Sequence, residues 1–103
     1  MGLAADVGTL QRFPKVVGNE SWTRELAYTG RFFKGIEAES KGFVSKSFKT
    51  EAEMIKYAED LAKTISEKSP VAVVGSKRTL IYSMSHSVED GLNQVRTMNS
   101  GFL

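Results

Sequence analysis

At 103 residues the chain is one small domain at most, or a piece of a larger one. Fourteen basic and twelve acidic residues are interspersed and leave a net charge of +2, with no basic block or basic–aromatic stripe to suit a nucleic-acid partner. The absence of cysteine excludes disulfides and thiolate metal sites, and no apolar run reaches the length of a membrane span.

Residues 1–5 are too short to define an element. Asp6 follows the small Ala4 and Ala5 and precedes Gly8, and it is the only acidic residue before Glu20. Two readings fit such a carboxylate. It caps the first helical turn, or it is an acid/base residue tuned by apolar neighbours and the helix end. Leu10, Phe13, Val16 and Val17 then recur three and four apart on one helix face. Pro14 interrupts that pattern and predicts a weakened or kinked helix. Gly18 and Asn19 supply a stop, and Asn19 or Ser21 a cap for a helix over residues 21–28, which ends at a left-handed Gly30. A short helix follows over residues 34–41. Residues 43–48 alternate imperfectly between apolar and polar and form the one strand candidate, with no obvious partner strand in the chain.

Thr50 and Glu53 have capping-box spacing and open the clearest helix. Met54, Tyr57, Ala58, Leu61, Ala62 and Ile65 form its apolar stripe, opposite a charged wet face. Ser69-Pro70 ends it and starts the next helix, with Ser as cap and Pro in the first turn. Val71, Val73, Val74, Leu80, Ile81 and Tyr82 make that helix apolar on more than one side, which calls for cover by a larger body or a neighbouring subunit. Lys77 and Arg78 read as solvated side chains. Ser87 and Asp90 start a last helix, with Leu92, Val95, Met98 and Phe102 on one face. Neither end carries a boundary signal, so the expectation is a chain cut at both ends.

His86 is the sole histidine and sits in a serine-rich turn, which reads as exposed or locally hydrogen-bonded. Without cysteine or a second histidine no metal set is expected. Gly35, Gly42 and Gly75 are too scattered for a dinucleotide fingerprint, and no cofactor is expected. The chemical candidates reduce to Asp6.

The run Leu3-Ala4-Ala5-Asp6-Val7-Gly8-Thr9-Leu10-Gln11-Arg12-Phe13-Pro14-Lys15-Val16-Val17-Gly18-Asn19 resembles the segment of dienoyl-CoA isomerases that carries a catalytic aspartate. These enzymes belong to the crotonase (enoyl-CoA hydratase/isomerase) superfamily. The likeness continues through Glu25-Leu26-Ala27-Tyr28-Thr29-Gly30-Arg31, Gly42-Phe43-Val44, Lys68-Ser69-Pro70-Val71 and His86-Ser87-Val88, over essentially the whole chain. Where relatives usually carry an Arg-Asp pair before the histidine, Met84-Ser85 stand here.

The resemblance implies a fold that is mainly α with one short strand, the helical C-terminal part of the crotonase-like α/β spiral. It implies residues 1–48 as the end of the core, with the Asp6 loop, and residues 49–103 as a helical trimerisation region. Asp6 takes the place of the distal proton-transfer residue that moves the double bonds of 3,5-dienoyl-CoA to 2,4-dienoyl-CoA in fatty-acid β-oxidation. The family's catalytic glutamate and Gly-rich oxyanion loop lie upstream of these residues, so the 103 residues alone are expected to be inactive. The implied partners are an acyl-CoA thioester substrate and copies of the same chain, as a trimer or hexamer, in mitochondria or peroxisomes. The alternatives are a non-catalytic helical oligomerisation module, or another crotonase such as an enoyl-CoA hydratase.

Overall fold

The computed structural model describes residues 3–102, with side chains to Ser100. Six helices follow one another among the described residues: α1 (Thr9–Val17), α2 (Glu20–Thr29), α3 (Gly35–Ser40), α4 (Glu51–Ser66), α5 (Pro70–Ser83) and α6 (Val88–Phe102). Their ends sit where local chemistry puts them. Asn19 Oδ1 accepts the Trp22 amide at 3.1 Å. Gly18 and Gly30 close α1 and α2 in the left-handed region, donating to the carbonyls of Pro14 and Leu26. Thr50 Oγ1 accepts the Glu53 amide, Ser69 Oγ that of Ala72 and Ser87 Oγ that of Asp90. α1 runs through Pro14 without ending there. The expectations placed on Met1, Gly2, Leu103 and the Phe102 side chain fall outside the described residues.

The contacts divide the chain into two compact units, one up to Lys56 and one from Tyr57 onward. In the first unit α1 packs on α2. Its core is Val17, Trp22 and Ala38, with Thr23 buried beside them. Four aromatic rings are joined in a closed circuit. Phe13 lies 5.7 Å from Trp22 and 4.8 Å from Phe43, and Phe33 lies 5.0 Å from Trp22 and 6.1 Å from Phe43. Three of these four contacts are edge-to-face, the arrangement the ring quadrupole favours.

The strand expected at residues 43–48 does not form: the segment is a run of bends and irregular chain, and no strand occurs among the described residues. The reason lies in how its groups are used. The Phe43 amide donates to the Ala38 carbonyl at 2.9 Å and the Ser47 amide to Glu39 Oε1 at 2.8 Å, while the Phe43 ring closes the aromatic circuit. A segment folded back on α3 has no row of free donors and acceptors for a ladder.

In the second unit α5 packs on α6. A Cβ added at Gly75 would meet Met98 Cε at 3.6 Å, and one at Gly91 would meet Ser83 Oγ at 3.4 Å. The two pairings, early α5 with late α6 and late α5 with early α6, make the helices antiparallel, and at both glycines a Cβ would meet the other helix at ordinary van der Waals distance. Val71, Val74, Leu80 and Ile81 of α5 stay exposed, as its all-round apolar sequence implied. His86 behaves as a local turn residue. Its ring stacks on Tyr82 at 3.5 Å, and Nδ1 lies 2.7 Å from the Tyr82 carbonyl oxygen. A carbonyl only accepts, so Nδ1 carries the ring proton.

A polar clamp holds the first unit from outside. The Trp22 indole N–H donates to Glu37 Oε2 at 2.9 Å. Arg31 grips the same carboxylate with two nitrogens, at 3.0 and 2.6 Å, and also donates to Glu25 through Nε at 2.9 Å. Hydrogen bonds from Arg31 first, and from Trp22 second, hold the Glu37 carboxyl down to about 2, while hydrogen bonds to Glu37 first and Glu25 second raise the Arg31 pKa.

Two outcomes follow from this packing. Trp22→Ala removes the best-buried large side chain, 3% exposed, and is expected to cost about 3–5 kcal/mol, read as a lower urea midpoint and loss of near-ultraviolet dichroism. Because the folded Glu37 binds its proton less readily than the unfolded one, its stabilisation is present above the ordinary glutamate range and is lost as pH falls towards about 2. Glu37→Gln is therefore expected to lower the melting temperature at pH 7 and to flatten its decline between about pH 4.5 and 2; an unchanged slope would take the clamp out of the acid sensitivity.

Candidate functional site

The sequence candidate Asp6 stands in a tight turn just before α1. The Asp6 carbonyl accepts the Thr9 amide at 3.1 Å, the three-residue closure of a β-turn. Both central residues are left-handed, Val7 at φ 51° and Gly8 at φ 82°. These φ values are those of a type I′ turn, whose central positions are ordinarily Gly, Asn or Asp. Gly8 suits its place. A Cβ there would also lie 3.1 Å from Arg12 Nε and 3.2 Å from Arg12 Cζ, so the guanidinium group lies directly over the glycine. Val7 does not suit its place, because a β-branched side chain at positive φ is strained.

The turn excludes the first of the two readings of Asp6, the helix cap. The N-cap of α1 is Gly8, not Asp6, and no side chain caps that end. Asp6 contributes its main-chain oxygen, which also accepts the Thr9 hydroxyl at 2.8 Å. Asp6 is exposed, and its carboxylate has no hydrogen-bond or ion-pair partner among the described residues.

Beside it lies an apolar pocket of about 180 Å³, lined by Ala5, Thr9, Leu10, Phe13, Thr23, Leu26, Ala27 and Phe33. The residues on either flank of the turn, Ala5 and Thr9, both belong to the wall. The far wall comes from α2 and Phe33. Phe33 is set by its edge-to-face contact with Trp22, so the aromatic circuit also shapes the pocket. Chemically the arrangement offers one unpartnered carboxylate at the margin of an apolar recess. The other sequence candidates are not drawn in. His86 belongs to the second unit, and Lys77 and Arg78 are exposed on α5.

Two features were not anticipated from sequence. One is the pocket wall, because Leu26 and Phe33 read simply as apolar positions. The other is the Glu25–Arg31–Glu37 clamp. Its two acids each stand six residues from the arginine, a spacing that no helical pairing rule marks. Among the described residues no cluster of three potential metal ligands exists, and no helix is long and apolar enough to cross a membrane.

The sequence profile described as enoyl-CoA hydratase/isomerase matches residues 1–103. The chain is 52% identical over its whole length to the mitochondrial Delta(3,5)-Delta(2,4)-dienoyl-CoA isomerase of Mus musculus, covering 32% of that protein. Identity is 50% to the mitochondrial isomerase of Homo sapiens, with 31% of it covered. It is 45% to the peroxisomal isomerase of Arabidopsis thaliana, with 37% covered. The chain thus spans about a third of the length of the curated relatives it matches. Similarity to proteins named as enoyl-CoA hydratases is lower, 32% over 92 residues for a probable mitochondrial hydratase of Arabidopsis thaliana. A profile match from the first residue to the last, over an all-helical structure of the kind expected for part of a crotonase fold, establishes that the chain belongs to the enoyl-CoA hydratase/isomerase family.

Proposed function

We propose that these residues are the Asp6-bearing part of a dienoyl-CoA isomerase, which shifts the double bonds of 3,5-dienoyl-CoA to the 2,4 positions in fatty-acid β-oxidation. The observation that carries the reading is an unpartnered Asp6 carboxylate beside an apolar pocket, in a chain about half identical to proteins of that name. In the proposed reaction one carboxylate, a glutamate outside these residues, removes a proton near the thioester. The electron pair moves along the conjugated system, and Asp6, carrying a proton, delivers it to the distal carbon. Proton count and charge balance: one carboxylate gains the proton that the other gives up. The apolar recess suits an acyl chain. On this reading residues 1–48 end the catalytic core and residues 49–103 assemble trimers or hexamers, in mitochondria or peroxisomes, and the 103 residues alone are inactive.

A second reading, a non-catalytic helical oligomerisation module, is favoured by one observation. Leu80 is 69% exposed and Ile81 58% exposed on α5, more apolar surface than a lone helix pair hides.

The test uses the protein as its gene encodes it. Incubation with 3,5-dienoyl-CoA is expected to yield the conjugated 2,4-dienoyl thioester, followed by its ultraviolet absorbance. Asp6→Asn keeps the side chain's size and deletes its titratable proton. It is expected to cut kcat at least about 100-fold while KM changes less than about threefold. Parental turnover in that variant would remove Asp6 from the reaction. Sedimentation equilibrium is expected to give a trimer or hexamer. Assembly without turnover would favour the module, and a monomer at micromolar concentration would overturn both accounts of residues 49–103.

A further inference from the structure

The geometry points to Thr9 as a positioning residue, whose hydroxyl locks the Asp6 turn beside the pocket and so fixes the backbone that carries the Asp6 carboxylate; this rests on the reading of Asp6 as the distal proton-transfer residue. Three observations carry it. The first is strain that packing does not offset. Val7 holds φ 51° as a β-branched residue while 87% exposed, so burial supplies nothing in return. The left-handed pair Val7–Gly8 must be held by something else.

The second is the double hold on one oxygen. The Asp6 carbonyl accepts both the Thr9 amide at 3.1 Å and the Thr9 hydroxyl at 2.8 Å. The amide bond belongs to the turn itself. The hydroxyl bond is additional, and it is the shorter of the two. The third is location. Thr9 lines the pocket, as does Ala5, so the residue that fixes the turn is also part of the surface an acyl chain would touch. With its proton committed to Asp6, the Thr9 hydroxyl is not a donor to substrate. It acts through the Asp6 main chain, and the position of the backbone that bears the carboxylate is what it controls.

The two parts of the Thr9 side chain give opposite outcomes on substitution. Thr9→Val keeps the shape and the pocket wall but deletes the donor. Thr9→Ser keeps the donor and deletes the methyl group. If the hydroxyl positions Asp6, Thr9→Val lowers kcat about tenfold with KM within about twofold, because a misplaced proton donor slows chemistry more than binding. Thr9→Ser then recovers most of the lost turnover. Parental kcat in Thr9→Val overturns the inference. So does a series in which Thr9→Ser is the worse variant and the change falls on KM, since that marks Thr9 as pocket wall only. Asp6→Asn, assayed alongside with 3,5-dienoyl-CoA, separates the two levels. If it abolishes turnover while Thr9→Val does not lower it, the anchor fails and the reading of Asp6 stands. If Asp6→Asn keeps parental turnover, both fall.

Discussion

The first unit depends on the place where the Trp22 indole meets the Glu37 carboxylate. The ring is buried between Phe13 and Phe33, and its one polar atom must find a partner there. Glu37 supplies it from α3, and Arg31 neutralises Glu37 while also reaching back to Glu25 on α2. One hydrogen bond therefore connects the apolar core to a chain of charges running across two helices. Removing either side does more than delete a contact. Without Glu37 the indole N–H is unsatisfied at the edge of the core, and without the indole the carboxylate has only the guanidinium to hold it. α3 has six residues and too few internal hydrogen bonds to stand alone, so this tether, with the Phe43 amide on Ala38, is what keeps it in place.

The pocket beside Asp6 inherits that arrangement. Phe33 forms its far wall and rests edge-on against Trp22, and Phe13 contributes to the near side while touching the same indole. The recess is thus framed by rings whose positions are fixed by the clamp behind them. Asp6 itself is fixed differently, by a local turn. A scaffold of packed rings and a short strained turn meet at Thr9, which lies in the wall and holds the turn.

What the sequence made legible was local. Asn19, Ser69-Pro70, Thr50, Ser87 and Gly30 each act within four residues of the group they satisfy, so the residue type alone announces the helix end. The apolar-all-round pattern of α5 likewise announced surface that α6 does not cover. The strand at residues 43–48 failed because alternation records which side chains are apolar and not where the backbone amides go. Here they go to α3. The clamp escaped for the converse reason: Arg31 follows the end of α2 and precedes α3, and only the turn of the chain between them brings Glu25 and Glu37 to one guanidinium.

Asp6 shows the limit of local reading most clearly. An aspartate near a helix start is ordinarily a cap, and capping would have consumed its carboxylate. The Val7–Gly8 pair moves the helix start two residues on and leaves the cap position to glycine. The main-chain oxygen of Asp6 is tied down and its side chain is not. A carboxylate released from structural duty, on a backbone held by two hydrogen bonds, combines a fixed origin with a free acid group. The cost is the left-handed valine that directly follows Asp6, the residue proposed for chemistry.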